Sequence, residues 1–372
     1  MRRTGWLFDE RYMWHDTGYG AAHLSSGGAI EPTLAHADSP DTKRRFRNLV
    51  EVSGLLDLLV PLRPRMATEN ELLRLHTPEY IDRVRQLSDA RGGLAGEITP
   101  FGPGSFDIAA LAVGGSIVAV DAVLDGEVDN AYALIRPAGH HAEADRGRGF
   151  CIFANGALAV LHAREERGVQ RVAVIDWDVH HGNGAESAFY DDPHVLTISI
   201  HGDRHFPADR GGLDDQGEGP GQGYNINIPL PHGSGEGVYL AAFERIVVPA
   251  VRAFKPELIL VSSGLDASAL DPAGRMLLHS DSYRRLTDIV LDVAAETCDG
   301  RIAMIHEGGY SAAYVPFCGL AIVETLVGER TGITDPFLDD YLNWPGQLMQ
   351  PHQADVIAAV EGRMNRYSAS RS

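Results

Sequence analysis

Five short runs constrain this chain more than any other feature: AYALI (131–135), RVAVID (171–176), VLTISI (195–200), ELILVSS (257–263) and RIAMIH (301–306). Each is rich in β-branched or aliphatic residues and apolar at nearly every position. Near-continuous apolarity suits a strand buried on both faces, as in a parallel sheet. Between the runs lie AALAVGGSIVAVDAVLDG (109–126) and GVYLAAFERIVVPAVRAF (237–254), with apolar residues at helical spacing. Strand–helix alternation of this kind implies a doubly wound α/β sheet. No internal repeat or linker-like stretch divides the chain, so 1–372 reads as one domain. Residues 15–45, 88–105 and 202–222 hold more Gly, Pro and charge than a minimal α/β domain needs, and long loops on a rigid scaffold often carry binding function.

The residues that follow the runs are where chemistry is expected. RVAVID continues as Trp177-Asp178-Val179-His180-His181-Gly182-Asn183-Gly184. Alternate residues of a strand share a face, so Asp176, Asp178 and His180 should point the same way. Two carboxylates and an imidazole at a strand end are costly without a cation, and they suit zinc or a similar divalent ion. ELILVSS is followed by Gly264-Leu265-Asp266-Ala267, and AYALI by a turn that reaches His140-His141. RIAMIH leads into Glu307-Gly308-Gly309-Tyr310, and VLTISI into His201-Gly202-Asp203. Each motif alone is a weak signal, since an Asp after a strand also caps helices. Open α/β sheets bind ligands beyond the carboxyl ends of their strands, so the set is expected to converge.

Asp178, His180 and Asp266 would leave zinc an open position for water and a substrate carbonyl. Zinc polarises a carbonyl and acidifies water, and a histidine can move the proton from that water to a leaving amine. Tyr310 could donate to the developing oxyanion, an interaction that contributes about 3 kcal/mol elsewhere. No G-x-S-x-G is present, so the expected reaction is direct metal-assisted hydrolysis.

Composition narrows the partners. With 51 acidic against 32 basic side chains the formal charge is −19, which repels phosphate backbones and anionic lipid. Nucleic-acid and membrane binding are therefore not expected, and cationic partners are favoured. Cys151, Cys298 and Cys318 are few, odd in number and scattered, as in a reduced cytoplasmic protein. The opening residues place charges where a signal peptide needs an apolar core, and no uncharged apolar stretch approaches the length of a membrane span.

Taken together, the His-His pair with Gly149-Phe150-Cys151, the segment DWDVHHGNG, the GLDA turn and EGGY resemble the histone deacetylase superfamily, in wording nearest the bacterial histone-deacetylase-like amidohydrolases of its class II branch. HADSPDTKRR (36–45), HTPEY (76–80), GYNINIPL (223–230) and VPFCGLA (315–321) extend the likeness, which runs in order from about 10 to 330 and leaves 331–372 as a C-terminal extension. The resemblance implies the arginase–deacetylase α/β fold, with eight mostly parallel strands and helices on both faces. It implies one catalytic Zn²⁺ on Asp178, His180 and Asp266, with His141 as general base and acid and His140 as an electrostatic helper. Asp176 would lie behind His140 and Asn183 behind His141. Tyr310 would be the oxyanion donor, and Gly149, Phe150 and Phe206 would line a narrow tunnel. A structural K⁺ is implied at Asp176, Asp178, His180, Ser199 and Ile200, and a second at Phe189, Asp192, Val195 and Tyr224. Relatives of this branch often form dimers or tetramers, so a homo-oligomer is expected.

Several positions depart from the family pattern: Ala138 before Gly139-His140-His141, Leu265 in the GLDA turn, Ala185 after HHGNG, and Ala273 in Asp271-Pro272-Ala273. Polyamine-selective relatives carry Glu at the last of these. The leading expectation is hydrolysis of N-acetyl-lysine-type amides, and the alternative is an acetylpolyamine or another small amide or ester. An arginase-like dinuclear manganese site would need further bridging aspartates, and a non-enzymatic sensor would need loss of Tyr310 or of a paired histidine. Trp14 and His15 could shape a tunnel rim or simply bury a turn. His36–Arg45 reads as a helix start capped by Ser39-Pro40, and Cys151 as a packed thiol.

Overall fold

The structure, a computed structural model, describes residues 1–21, 24–25, 28 and 34–371. Residues 22–23, 26–27 and 29–33, part of the expected loop 15–45, lie outside the described residues. Eight strands form the central sheet. They are β1 (Thr4–Leu7), β2 (Val60–Leu62), β3 (Asn130–Ala133), β4 (Val172–Asp176), β5 (Val195–Gly202), β6 (Asn225–Leu230), β7 (Leu258–Ser263) and β8 (Ile302–His306). Their spatial order is β6-β5-β4-β7-β8-β3-β1-β2, and every pairing is parallel. All five runs singled out in the sequence are strands of this sheet.

Burial alternates as two-sided packing requires. Ala173, Ile175, Ile259, Val261, Ile302 and Met304 face one apolar core, while Val172, Val174, Leu258, Leu260, Ala303 and Ile305 face the other. Helices α1 (Asp41–Val52), α4 (Ser280–Thr297) and α5 (Val315–Val327) close the first face. Helices α2 (Ser105–Leu124) and α3 (Asn155–Glu165) close the second. The apolar stretch 237–254 is helical from Glu236, with a wider π turn at Phe243–Val247. By length and apolarity α2 could cross a membrane, but 72% of its apolar window is buried in this fold.

Three strands do not stand out in the sequence. β1 and β2 are only four and three residues long, and β2 contains Pro61. β6, Asn-Ile-Asn-Ile-Pro-Leu, alternates instead of running apolar because it is the edge: Ile226, Ile228 and Leu230 enter the core while Asn225 and Asn227 bond to Glu186. The last helix, α6 (Pro351–Arg371), lies against β6 and buries Ile357 and Val360. Gln353 Nε2 donates to Ser234 Oγ at 3.1 Å. The extension thus packs its apolar residues into the core that also takes Ile226, Ile228 and Leu230 of β6.

Candidate active site

Four neighbouring strands, β4, β7, β8 and β3, each send one loop over the same end of the sheet. From β4, the Asp176 carboxylate accepts the Asp178 N–H at 3.0 Å, and Asp178 Oδ1 accepts the His180 N–H at 2.9 Å. The carboxylates thus shape the turn that carries them. His180 Nδ1 lies 3.0 Å from both Asp178 Oδ1 and Asp266 Oδ2. One donor atom from each of Asp178, His180 and Asp266 falls within 4.8 Å of the others. Both aspartates are fully buried. The Gly308 N–H reaches Asp178 Oδ2 and the Val179 N–H reaches Asp266 Oδ1, each at 2.8 Å. Two buried carboxylates facing one imidazole call for a cation between them. Burial, then the charge of Asp178, pushes the Asp266 carboxyl up to about 7. The loops can approach this closely because Gly264 and Gly308 lack a Cβ, which would stand 2.2 Å from Asp178 Oδ2 and Asp266 Oδ2 respectively.

The loop after β3 brings the histidines. The N–H groups of Gly139 and His140 donate to Glu307 Oε2 at 2.7 and 3.1 Å, tying this loop to the one after β8. His140 Nδ1 is 2.9 Å from Asp176 Oδ2, and His141 Nδ1 is 2.8 Å from Asn183 Oδ1. The Asn183 amide nitrogen donates to His141 O and Glu143 Oε1, so its oxygen is the atom that faces His141. Both imidazoles therefore donate from Nδ1 and turn Nε2 toward the site. Burial alone would lower His140, but Asp178 and Asp176 override it and hold the imidazole well above its ordinary value. His141 is held well below, by burial and then by His140 and His180.

Above these groups is a cavity of 390 Å³. Phe206 stands edge-on to His141 at 5.0 Å, and Phe150 edge-on to Tyr310 at 5.7 Å. Between them Gly149 adopts φ +51°, and a Cβ there would meet His141 Cδ2 at 2.4 Å and Phe206 Cε1 at 2.7 Å. Only glycine leaves this passage open. Tyr310 is held from behind: Asp271 Oδ2 accepts its N–H at 2.7 Å and that of Ser311 at 3.2 Å. Burial raises the Tyr310 hydroxyl well above its ordinary pKa, so it remains a donor.

Asp176, Asp178, His180, Asp266, His140, His141, Asn183, Gly149, Phe150, Phe206 and Tyr310 are brought together. Asp176 differs from the other two carboxylates in serving His140 from behind. His201 and Asp203 are not brought in. β5 runs two residues past the apolar run, so His201 stays inside the sheet, bonded to Ser199 Oγ and Gly211 O at 2.9 and 3.0 Å, and Asp203 is exposed.

Ser199 pairs in register with Asp176, and Ile200 follows it, both buried. Around the other expected K⁺ residues, Phe189 O accepts the Asp192 N–H, Tyr224 O accepts the Thr197 N–H, and the Asp192 carboxylate pairs with Arg164. Val195 is buried. Cys151 is buried with Sγ 3.5 Å from Gly149 O, as expected of a packed thiol. Trp14 is exposed, whereas His15 is buried against Ser105. The expected helix start is found: α1 begins at Asp41, Ser39 Oγ accepts the Asp41 N–H at 3.4 Å, and Pro40 itself makes no side-chain cap bond because proline offers no side-chain acceptor. His36 instead stacks edge-on to Phe150 at 4.7 Å.

The supporting groups Glu307 and Asp271, and the lining residues Ile98, His205 and Arg275, carry no signal in sequence beyond their place after strands or in Gly- and Pro-rich turns.

The profile of the histone deacetylase domain matches residues 36–326. The chain is 50% identical over 355 residues to the histone deacetylase-like amidohydrolase of Pseudomonas aeruginosa, covering 95% of this chain and 92% of that protein. It is 37% identical over 355 residues to histone deacetylase 8 of Arabidopsis thaliana, covering 93% and 89% respectively. Among solved structures, the HDA15 HD domain superposes with a TM-score of 0.85 over 98% of this chain and 96% of that one, at 29% identity.

Proposed function

The chain belongs to the histone deacetylase family, whose members are deacetylases and amidohydrolases, and we propose that it is a zinc-dependent enzyme that hydrolyses linear N-acyl amides of the N-acetyl-lysine type. The observation that carries this reading is the convergence of Asp178, His180 and Asp266 beneath two buried histidines. Two carboxylate oxygens and one imidazole nitrogen are a donor set suited to zinc with a position left open. When bound, zinc supplies polarisation of the acyl carbonyl and acidification of water.

The chain's own residues do the rest. His141, neutral and with Nε2 free, takes a proton from the attacking water and returns it to the leaving amine. His140 holds positive charge beside it, balanced by Asp176. Tyr310 donates its hydroxyl hydrogen to the oxygen of the tetrahedral intermediate. Phe150 and Phe206 enclose the methylene stem, and Gly149 keeps the passage open. Ala273 puts no carboxylate on the rim to attract a second ammonium, which supports the acyl-lysine type over an acetylpolyamine.

We read the whole chain as one catalytic unit. A structural K⁺ would be held by Asp176, Asp178, His180, Ser199 and Ile200. A second at Phe189, Asp192, Val195 and Tyr224 would rest on backbone carbonyls, since Arg164 already neutralises Asp192. The charge of −19 supports a protein with no nucleic-acid or membrane partner. Exposed Leu342, Trp344, Leu348 and Met349 support self-association as a dimer or tetramer, and the three free cysteines support a reducing compartment such as the cytoplasm. The test is chelation followed by titration with zinc, reading hydrolysis of a fluorogenic acetyl-lysine amide. Activity should vanish and return with one equivalent of zinc per chain; full activity in metal-free protein would sink the reading.

A further inference from the structure

The mouth of the cavity carries a charge that the composition does not anticipate. Among the described residues lining it there is no aspartate or glutamate and one arginine, Arg275. The chain has 51 acidic side chains against 32 basic ones, and arginines elsewhere in the fold are mostly paired: Arg148 with Glu97 and Asp209, Arg252 with Glu296, Arg284 with Glu324. Arg275 is exposed, and among the described residues no carboxylate lies within ion-pair distance of it.

Its place is built. Arg275 adopts φ +56°, a left-handed conformation uncommon for a residue with a side chain. Its carbonyl accepts the Gly233 N–H at 2.8 Å. The preceding Gly274 packs so tightly that a Cβ would stand 1.6 Å from Asp266 O. Asp271 Oδ1 accepts the Ala273 N–H at 2.8 Å while its other oxygen holds Tyr310. The turn presenting the guanidinium is thus clamped to the Asp266 loop and to the Tyr310 backbone. Strained residues held in this way cluster at ligand clamps.

A cation on a rim to which the described residues bring no carboxylate attracts an anion and repels a second cation. We propose that Arg275 is a specificity-determining residue that makes the mouth prefer acyl amines bearing a carboxylate at the far end of the methylene stem and disfavour those bearing another ammonium there. This rests on the amidohydrolase reading, which it deepens by naming the substrate's charge.

The test compares three probes on zinc-loaded protein: Nα-acylated Nε-acetyl-lysine with a free carboxylate, its neutral methylamide, and N-acetylputrescine. In the unaltered protein kcat/KM should fall in that order, by roughly threefold to tenfold per step for a partly solvated charge. Arg275→Gln should level the first two probes, and Arg275→Glu should reverse the order, with hydrolysis of the methylamide retained in both. The differences should shrink with added salt. Equal handling of carboxylate and methylamide by the unaltered protein, or an unchanged order in Arg275→Glu, would overturn the proposal. Calorimetric binding of the same probes tests the charge preference independently of cleavage, so absence of cleavage alone counts only against the hydrolase reading.

Discussion

His140 and His141 are neighbours in the chain with ring centroids 3.9 Å apart, and each places Nδ1 against one oxygen, at 2.9 and 2.8 Å. The geometry is nearly the same and the charge is not. Asp176 gives His140 a carboxylate, with Asp178 Oδ2 a further 3.8 Å from Nε2. Asn183 gives His141 a neutral amide, and the ring shares its surroundings with two other imidazoles. One arm is built to hold a proton and the other to be without one until it takes it. An acceptor oxygen at Nδ1 orients both rings, whereas the charge of the partner separates their tasks.

The widest test of that contrast is removal of each ring. His141→Ala should lower kcat by about 10³-fold, within the range of general acid–base catalysis, and His140→Ala by less. Equal losses in kinetic assays on zinc-loaded variants would break the distinction. The next is removal of each partner. Asp176→Asn should cost roughly tenfold to a hundredfold in kcat, as outer partners typically do, because His140 loses the nearest charge favouring its protonated form. Asn183→Ala should cost less, and the reverse ranking would mean that orientation matters more than charge.

The smallest effect should come from Asn183→Asp. A carboxylate there raises the pKa of His141, so the neutral base is lost at a higher pH as the solution is acidified. The acid limb of kcat/KM should move upward in a profile from about pH 5 to about pH 9, with less than tenfold change on the alkaline side. A limb that stays in place would exclude His141 as the group titrating there.

Much of the frame is legible from sequence because burial on both faces leaves a local mark. Val172 to Ile175 must be apolar at every position, since alternate residues enter different cores. β6 escapes that reading because its Asn225 and Asn227 are satisfied by Glu186, about forty positions earlier in the chain, and by the backbone carbonyl of Asp215. The candidate ligands are legible for a related reason: they follow recognisable strands, and parallel strands deliver their ends to one rim. His201 was expected at the same rim by the same argument. Two further residues of β5 keep its ring inside the sheet, a boundary the apolar pattern does not mark.

The amino-acid order by itself determined the parallel sheet, the residues available at its strand ends and the chemical kind of each, because these depend on local pattern and residue type. Only the tertiary structure decided that Asp178 and Asp266 close on His180 while Asp176 backs His140, how Glu307 ties Gly139 and His140 to the β8 loop, and how Asp271 secures Tyr310 and the Arg275 turn. Apart from the local Asp271–Ala273 bond and the Asp178–His180 contact within one turn, those contacts join residues dozens to well over a hundred positions apart, and they follow from the packing of β4, β7, β8 and β3 side by side. Burial in that packing, more than residue identity, makes each charge matter.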